Sequence, residues 1–211
     1  MPPKFTVLLP HKLNPRNNDA LTICIDCLAR NSVYDFALSM SAAADQPLYA
    51  TMNRLVQEAA TDICVFMHSD MFVSPGWDTR MLEVYDDDTF VTGLLVEPGA
   101  IGVWHGNVTK DFGRRPEAFQ RAEFEAWATG SDAPRASGAG WFAPYMFSRR
   151  RWLAYGGHDL NAPEGVVWTA LDIALFNKHK LNQGDVIQAQ APVYHLQRWS
   201  EPSEQEAEKR L

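Results

Sequence analysis

The sequence predicts an α/β protein built on a mostly parallel, helix-covered sheet, and three observations lead to that class. Residues 5–67 alternate short apolar runs with amphipathic stretches in the order β-α-β-α-β, the pattern of parallel strands joined by crossover helices. The run at 62–67, DICVFM, is almost uniformly apolar, as strands covered on both faces are. A chain of 211 residues with 46% apolar side chains is enough for one domain with a sizeable core.

Each element follows from its local pattern. FTVLLP (5–10) is a short β-branched run stopped by proline, which reads as a buried strand. NNDALTICIDCLARNS (17–32) offers Asn or Asp as a cap and sets Leu21, Ile25 and Leu28 at helical spacing. YDFALSMSA (34–42) reads as a second strand. PLYATMNRLVQEAAT (47–61) reads as a second helix, with Leu48, Met52, Leu55, Val56 and Ala59 on one stripe. The third strand, 62–67, is followed by His68, Ser69 and Asp70 and by a turn marked by Pro75, Gly76 and Trp77. Beyond it lie a short helix in DTRMLEVYDDD, a strand at 89–96 and a helix in PEAFQRAEFEAWATG. A strand in WFAPYMFSR, a helix at 169–181 and a last strand at 185–196 complete the core, ahead of a charged tail at 201–211.

Composition excludes several classes. The net charge is −7, and the densest basic cluster, Arg149-Arg150-Arg151, is too small for a nucleic-acid groove. The amino-terminal apolar run breaks at Pro10, too early for a signal peptide. No stretch approaches the ~20 apolar residues of a membrane span, so a soluble, cytoplasmic protein is expected. Cys24 and Cys27 match C-x-x-C but share one helix face and lack a second pair to complete a zinc site. GAGWFA (138–143) fits a dinucleotide fingerprint without the strand before it or the helix after it.

What remains is a set of polar strand ends. In open α/β sheets ligands bind beyond the carboxyl ends of the strands. His11 follows the first strand, His68 to Asp70 the third, and His195 stands at the end of the last. Asp70 is a hard oxygen donor and His195 an imidazole nitrogen donor, a pair suited to a divalent ion that completes its shell with substrate phosphates. Imidazole favours manganese over magnesium. A lone strand-end Asp also serves as a turn residue, and a lone His as a core residue; His158 and His179 read as surface residues.

The segment ATMNRLVQEAATDICVFMHSDMFVSPGWDTRM resembles the central motif of family 2-like glycosyltransferases of the GT-A fold. There an Asn-bearing helix leads into a strand ending in D-x-D. GAGWFAPYMFSRRRWLAYGGHDLN is similar to the family's stretch before the acceptor site, WTALDIALFNK to its acidic pair opening a helix, and VYHLQRWS to its strand-end histidine. The resemblance covers roughly residues 4 to 200. It departs where His68 replaces the first acid of D-x-D and where Leu171 precedes the expected base.

The resemblance implies a Rossmann-like, three-layer sandwich forming a single catalytic domain over 1–200. It implies transfer of a sugar from a nucleotide-diphosphate donor to an acceptor hydroxyl, with inversion and with Mn2+ or Mg2+. Asp70 and His195 would hold the metal and Asp172 would be the base, with Asp159 and Glu164 as rivals. Pro10, His11, Asp45, Asn53 and His68 would lie near the nucleotide, and Trp141, Gly157 and Trp168 near the sugar or acceptor. The acceptor class stays open among glycan, lipid carrier, protein and modified base. The competing reading is a non-catalytic nucleotide-sugar or glycan-binding domain of the same fold.

Overall fold

The computed structural model describes residues 1–11, 15–42, 48–99, 107–130, 143–158, 175, 177–180 and 184–196. Among the described residues an eight-stranded sheet runs in the order β2-β1-β3-β7-β5-β8-β4, with β6 beside β5. The strands are β1 (Phe5–His11), β2 (Phe36–Ala42), β3 (Ile63–Phe66), β4 (Met71–Val73), β5 (Thr89–Glu97), β6 (Val108–Thr109), β7 (Tyr145–Ser148) and β8 (Asp185–His195). Among the described residues lie the helices α1 (Pro15–Asn31), α2 (Leu48–Glu58), α3 (Trp77–Leu82), α4 (Arg121–Thr129) and α5 (Arg149–Tyr155), and residues 177–180 are helical as well. A 3-10 turn spans Pro116–Ala118.

The sheet is mixed, which corrects the expectation of a mostly parallel one. β1 pairs parallel with β2 and β3, and β5 parallel with β8. β7, however, lies antiparallel between β3 and β5, and β4 antiparallel beside β8. The two reversals leave β1, β2, β3, β5 and β8 pointing their carboxyl ends to one edge. β1 and β5 are buried along their whole length, as strands covered on both faces must be. α2 packs on β1, β2 and α5, while α1 packs on β4 and α3 on β8 and β5.

The buried side of α1 is rotated from the expected stripe. Ala20, Cys24, Cys27 and Leu28 face the core, while Leu21 and Ile25 are half-buried. The two cysteines are thus core residues, and burial pushes the Cys27 thiol up to about 12, so it stays protonated. The predicted stripe of α2 holds for Met52, Leu55 and Val56, all buried, while Ala59 is buried just past the helix end at Glu58. The expected helix in PEAFQRAEFEAWATG divides: the 3-10 turn ends at Ala118, and α4 begins only at Arg121.

The segment RRRWLAY (149–155) forms α5, capped by the Ser148 hydroxyl, which accepts from Arg151 N–H. Its three arginines are spent inside the molecule. Arg149 donates to the carbonyls of Val56 and Gln57 at 2.9 and 2.6 Å, Arg150 pairs with Asp87 at 2.7 Å, and Arg151 pairs with Asp88. No helix among the described residues is long and apolar enough to cross a membrane. The tail at 201–211 lies outside the described residues.

Candidate active site

Two backbone ladders assemble the site. After β3 the chain turns sharply, closed by Met71 N–H donating to the His68 carbonyl at 3.2 Å. It re-enters the sheet as β4, with Met71 opposite His195, Phe72 opposite Tyr194 and Val73 opposite Val193. Leu196 N–H donates to the Asp70 carbonyl at 3.1 Å, which extends the ladder to the turn. Asp70 is therefore delivered beside His195, with Oδ1 3.7 Å from Nε2.

β8 has β5 on its other side. The parallel register sets Val96 opposite Tyr194, so the next residue, Glu97, reaches the far nitrogen of the same ring. Its Oε1 lies 2.8 Å from His195 Nδ1. Asp70 and Glu97 are each 5% exposed, and the His195 side chain is 21% exposed. The imidazole thus stands between two shielded carboxylates at an opening to solvent. Burial opposes its charge, but Asp70 and Glu97 outweigh burial and raise its pKa above the ordinary histidine value.

His68 is the opposite case. Burial lowers its pKa to about 4, with Asp70 pulling it up only in part and His195 pushing it further down. Its ring packs edge-on against Phe66, 5.1 Å between centroids. His68 is therefore neutral near pH 7.

The Asp70–His195 separation is too long for a hydrogen bond. It is shorter than twice the ~2.1 Å of a typical metal–nitrogen or metal–oxygen bond, so one cation can touch both atoms. Among the described residues no group of three or more His, Cys, Asp or Glu side chains is arranged to hold a metal. Two protein donors with the remaining positions left to phosphate and water is the habit of magnesium-like ions.

The other expected site residues fall in three groups. Pro10 and His11 end β1 and are buried. His11 Nε2 lies 2.9 Å from Asn18 Oδ1, and its buried Nδ1 has no partner among the described residues. Asn53 and Gly157 form a joint between α2 and the end of α5. The Asn53 amide accepts from His158 N–H and donates to the His158 carbonyl, both at 3.0 Å. Gly157 has φ +67°, and a Cβ there would stand 2.8 Å from Trp152 Nε1 and collide with Asn53 Oδ1. Asp45, Trp141, Trp168 and Asp172 lie outside the described residues, as do Asp159 and Glu164.

Two expectations are corrected. His158 and His179 are not surface residues; they are 3% and 1% exposed. His158 fills the space between Tyr49 and Trp152, and His179 that between Phe90 and Tyr155. Glu97 is the site residue that sequence reasoning missed. The signal was present: it is the charged residue closing the apolar run at 89–96, as His11 closes the run at 5–10.

The element order, with polar side chains gathered at the carboxyl edge, is that of a GT-A-like glycosyltransferase fold, and solved structures of glycosyltransferases share it. GalNAc-T7, solved with UDP, GalNAc and Mn2+, superposes with a TM-score of 0.52 at 12% identity, over 92% of this chain and 44% of that one. Residues 1–349 of S. aureus TarS superpose with a TM-score of 0.55 at 10% identity, over 91% of this chain and 60% of that one. The chain thus spans about half the length of these neighbours, and what it shares with them is the fold. No protein-family model matches the sequence, and no curated protein does.

Proposed function

We propose that the chain is a metal-dependent, inverting glycosyltransferase that moves a sugar from a nucleotide-diphosphate donor to an acceptor hydroxyl. The observation that carries this reading is the 3.7 Å approach of Asp70 Oδ1 to His195 Nε2 at the carboxyl edge of a GT-A-like sheet. A manganese or magnesium ion between them would neutralise the leaving diphosphate as a Lewis acid. Asp70 would supply a carboxylate oxygen to the ion and His195 the Nε2 lone pair, which the ion would take in place of a proton. His68, kept neutral, adds no positive charge to repel a cation. Asp172 accepts the proton of the acceptor hydroxyl as general base, and a single displacement by that hydroxyl inverts the anomeric carbon. Pro10, His11, Asp45, Asn53 and His68 flank the nucleotide, and Trp141, Gly157 and Trp168 the sugar or acceptor. Residues 1–200 form the catalytic domain.

The test is nucleotide release from a panel of UDP- and other nucleotide-sugars, with Mn2+, with Mg2+ and with chelator. Release that needs the metal and is lost in Asp70→Ala is the expected result. Asp172→Asn is expected to bind donor normally while losing transfer roughly 10²–10⁴-fold. Donor binding without release under every metal condition would make the chain a binding domain instead. Full activity in Asp172→Asn would remove the base assignment.

A further inference from the structure

We infer that Glu97 is a positioning residue, which holds the His195 proton on Nδ1 and so leaves the Nε2 lone pair facing Asp70. Glu97 is a 5% exposed carboxylate with both oxygens engaged. Oε1 lies 2.8 Å from His195 Nδ1, and Oε2 accepts from Asn107 Nδ2 at 3.2 Å. Its backbone is clamped as well. Glu97 pairs with Thr109 across β5 and β6, and its carbonyl accepts from Lys110 N–H at 2.9 Å. A carboxylate so fixed can only accept, so the hydrogen between it and the ring belongs to Nδ1.

That choice decides what the other ring nitrogen can do. With the proton on Nδ1, the Nε2 lone pair faces Asp70 Oδ1 across 3.7 Å, two electron-rich atoms with space for a cation between them. With the proton on Nε2, the ring would point its N–H at Asp70, and no nitrogen lone pair would face the space between them. A hydrogen bond on one imidazole nitrogen sets the state of the other, and carboxylates behind a metal-binding histidine act in this way. β5 supplies the carboxylate and β8 the ring, so their register is what couples Glu97 to the site.

The inference deepens the metal reading above, and its test separates the two. The proton position is a property of the metal-free protein, readable by NMR of 15N-histidine-labelled material at alkaline pH, where the ring is neutral. Wild type is expected to carry the His195 proton on Nδ1. Glu97→Leu, close in volume and without an acceptor, is expected to move it to Nε2 and to weaken Mn2+ binding, read by EPR of free Mn2+, by about 10–100-fold. Glu97→Gln keeps an acceptor oxygen and is expected to restore most of the Nδ1 population. A wild-type proton on Nε2 overturns the inference, and this measurement does not depend on any variant folding. A Glu97→Leu protein with unchanged proton position and Mn2+ affinity overturns it too. If wild type binds no Mn2+ yet the proton moves as expected in the variants, the metal reading fails and the positioning role stands.

Discussion

Asp78 is a fully buried carboxylate. Its Oδ2 accepts from the backbone N–H groups of Val33 and Tyr34 at 2.8 and 2.9 Å, tying α3 to the turn between α1 and β2. Beside it Gly76, at φ +68°, lets the chain bend so that Trp77 can enter the core and donate to the Ser32 hydroxyl at 3.1 Å. Asp78→Ala would leave two donors without an acceptor, at ~1–3 kcal/mol each. A loss of roughly 2–6 kcal/mol is expected from the urea midpoint with the slope unchanged; a loss near zero would mean that water replaces the carboxylate. At this scale the sequence was legible where one rule applied, that polar side chains at strand ends gather on one edge. The rule reaches Asp70 and His195 and also fits Glu97, a charged residue one position beyond the apolar run at 89–96. Asp78 looked like any acidic residue opening a short helix, since nothing local records that its partners lie some forty-five positions away.

Among the elements, the short strands were the ones the sequence hid. Met71, Phe72 and Val73 sit between two turns, too few residues for alternation to register. β4 exists because β8 offers it an edge, and that pairing brings Asp70 to His195. The division of the predicted 116–130 helix has a similar origin. Phe119, in the gap, stacks on Tyr194 at 5.4 Å and approaches Phe72 at 4.6 Å, contacts a continuous helix would forgo. The Tyr194 hydroxyl then joins this layer to the sheet, accepting from Phe112 N–H at 3.1 Å and donating to the Gly113 carbonyl at 2.8 Å. Tyr194→Phe keeps the ring and leaves the buried Phe112 N–H unpaired, a cost of about 1–3 kcal/mol. A fall of several degrees in Tm, with faster hydrogen exchange at the Phe112 amide, is expected. An unchanged exchange rate at that amide would show that this hydroxyl does not hold the segment to β8.

For the molecule as a whole, the α/β order was legible because helix and strand periods differ, whereas strand direction was not. An apolar run such as YMFS reads alike in either direction, so the reversal of β7 between β3 and β5 leaves no mark in the sequence. Burial of histidines was equally hidden, and it has a global consequence. Burial lowers the His158 pKa to about 3. Burial also lowers that of His179, where the Asp185 carbonyl acts against it, Arg151 adds to it, and the Asp185 and Asp86 carboxylates oppose it. A histidine with a folded pKa below its unfolded value near 6.5 leaves the unfolded chain holding the extra proton in acid. Its contribution to stability is therefore complete above that value and is lost as pH falls from about 6.5 toward the folded pKa. The slope approaches 1.4 kcal/mol per pH unit for one fully mismatched group. His158 is held between the rings of Tyr49 and Trp152, at 4.1 and 5.0 Å, so a phenyl ring keeps those ring contacts and removes the titrating nitrogens. Urea unfolding between pH 7 and pH 4 is expected to show wild-type stability falling with acid, and His158→Phe falling less steeply by about one proton. The carboxylates titrate alike in both proteins and cancel in the comparison. Parallel pH profiles would mean that His158 takes up its proton in the folded state, and that the core opens around it before the chain unfolds.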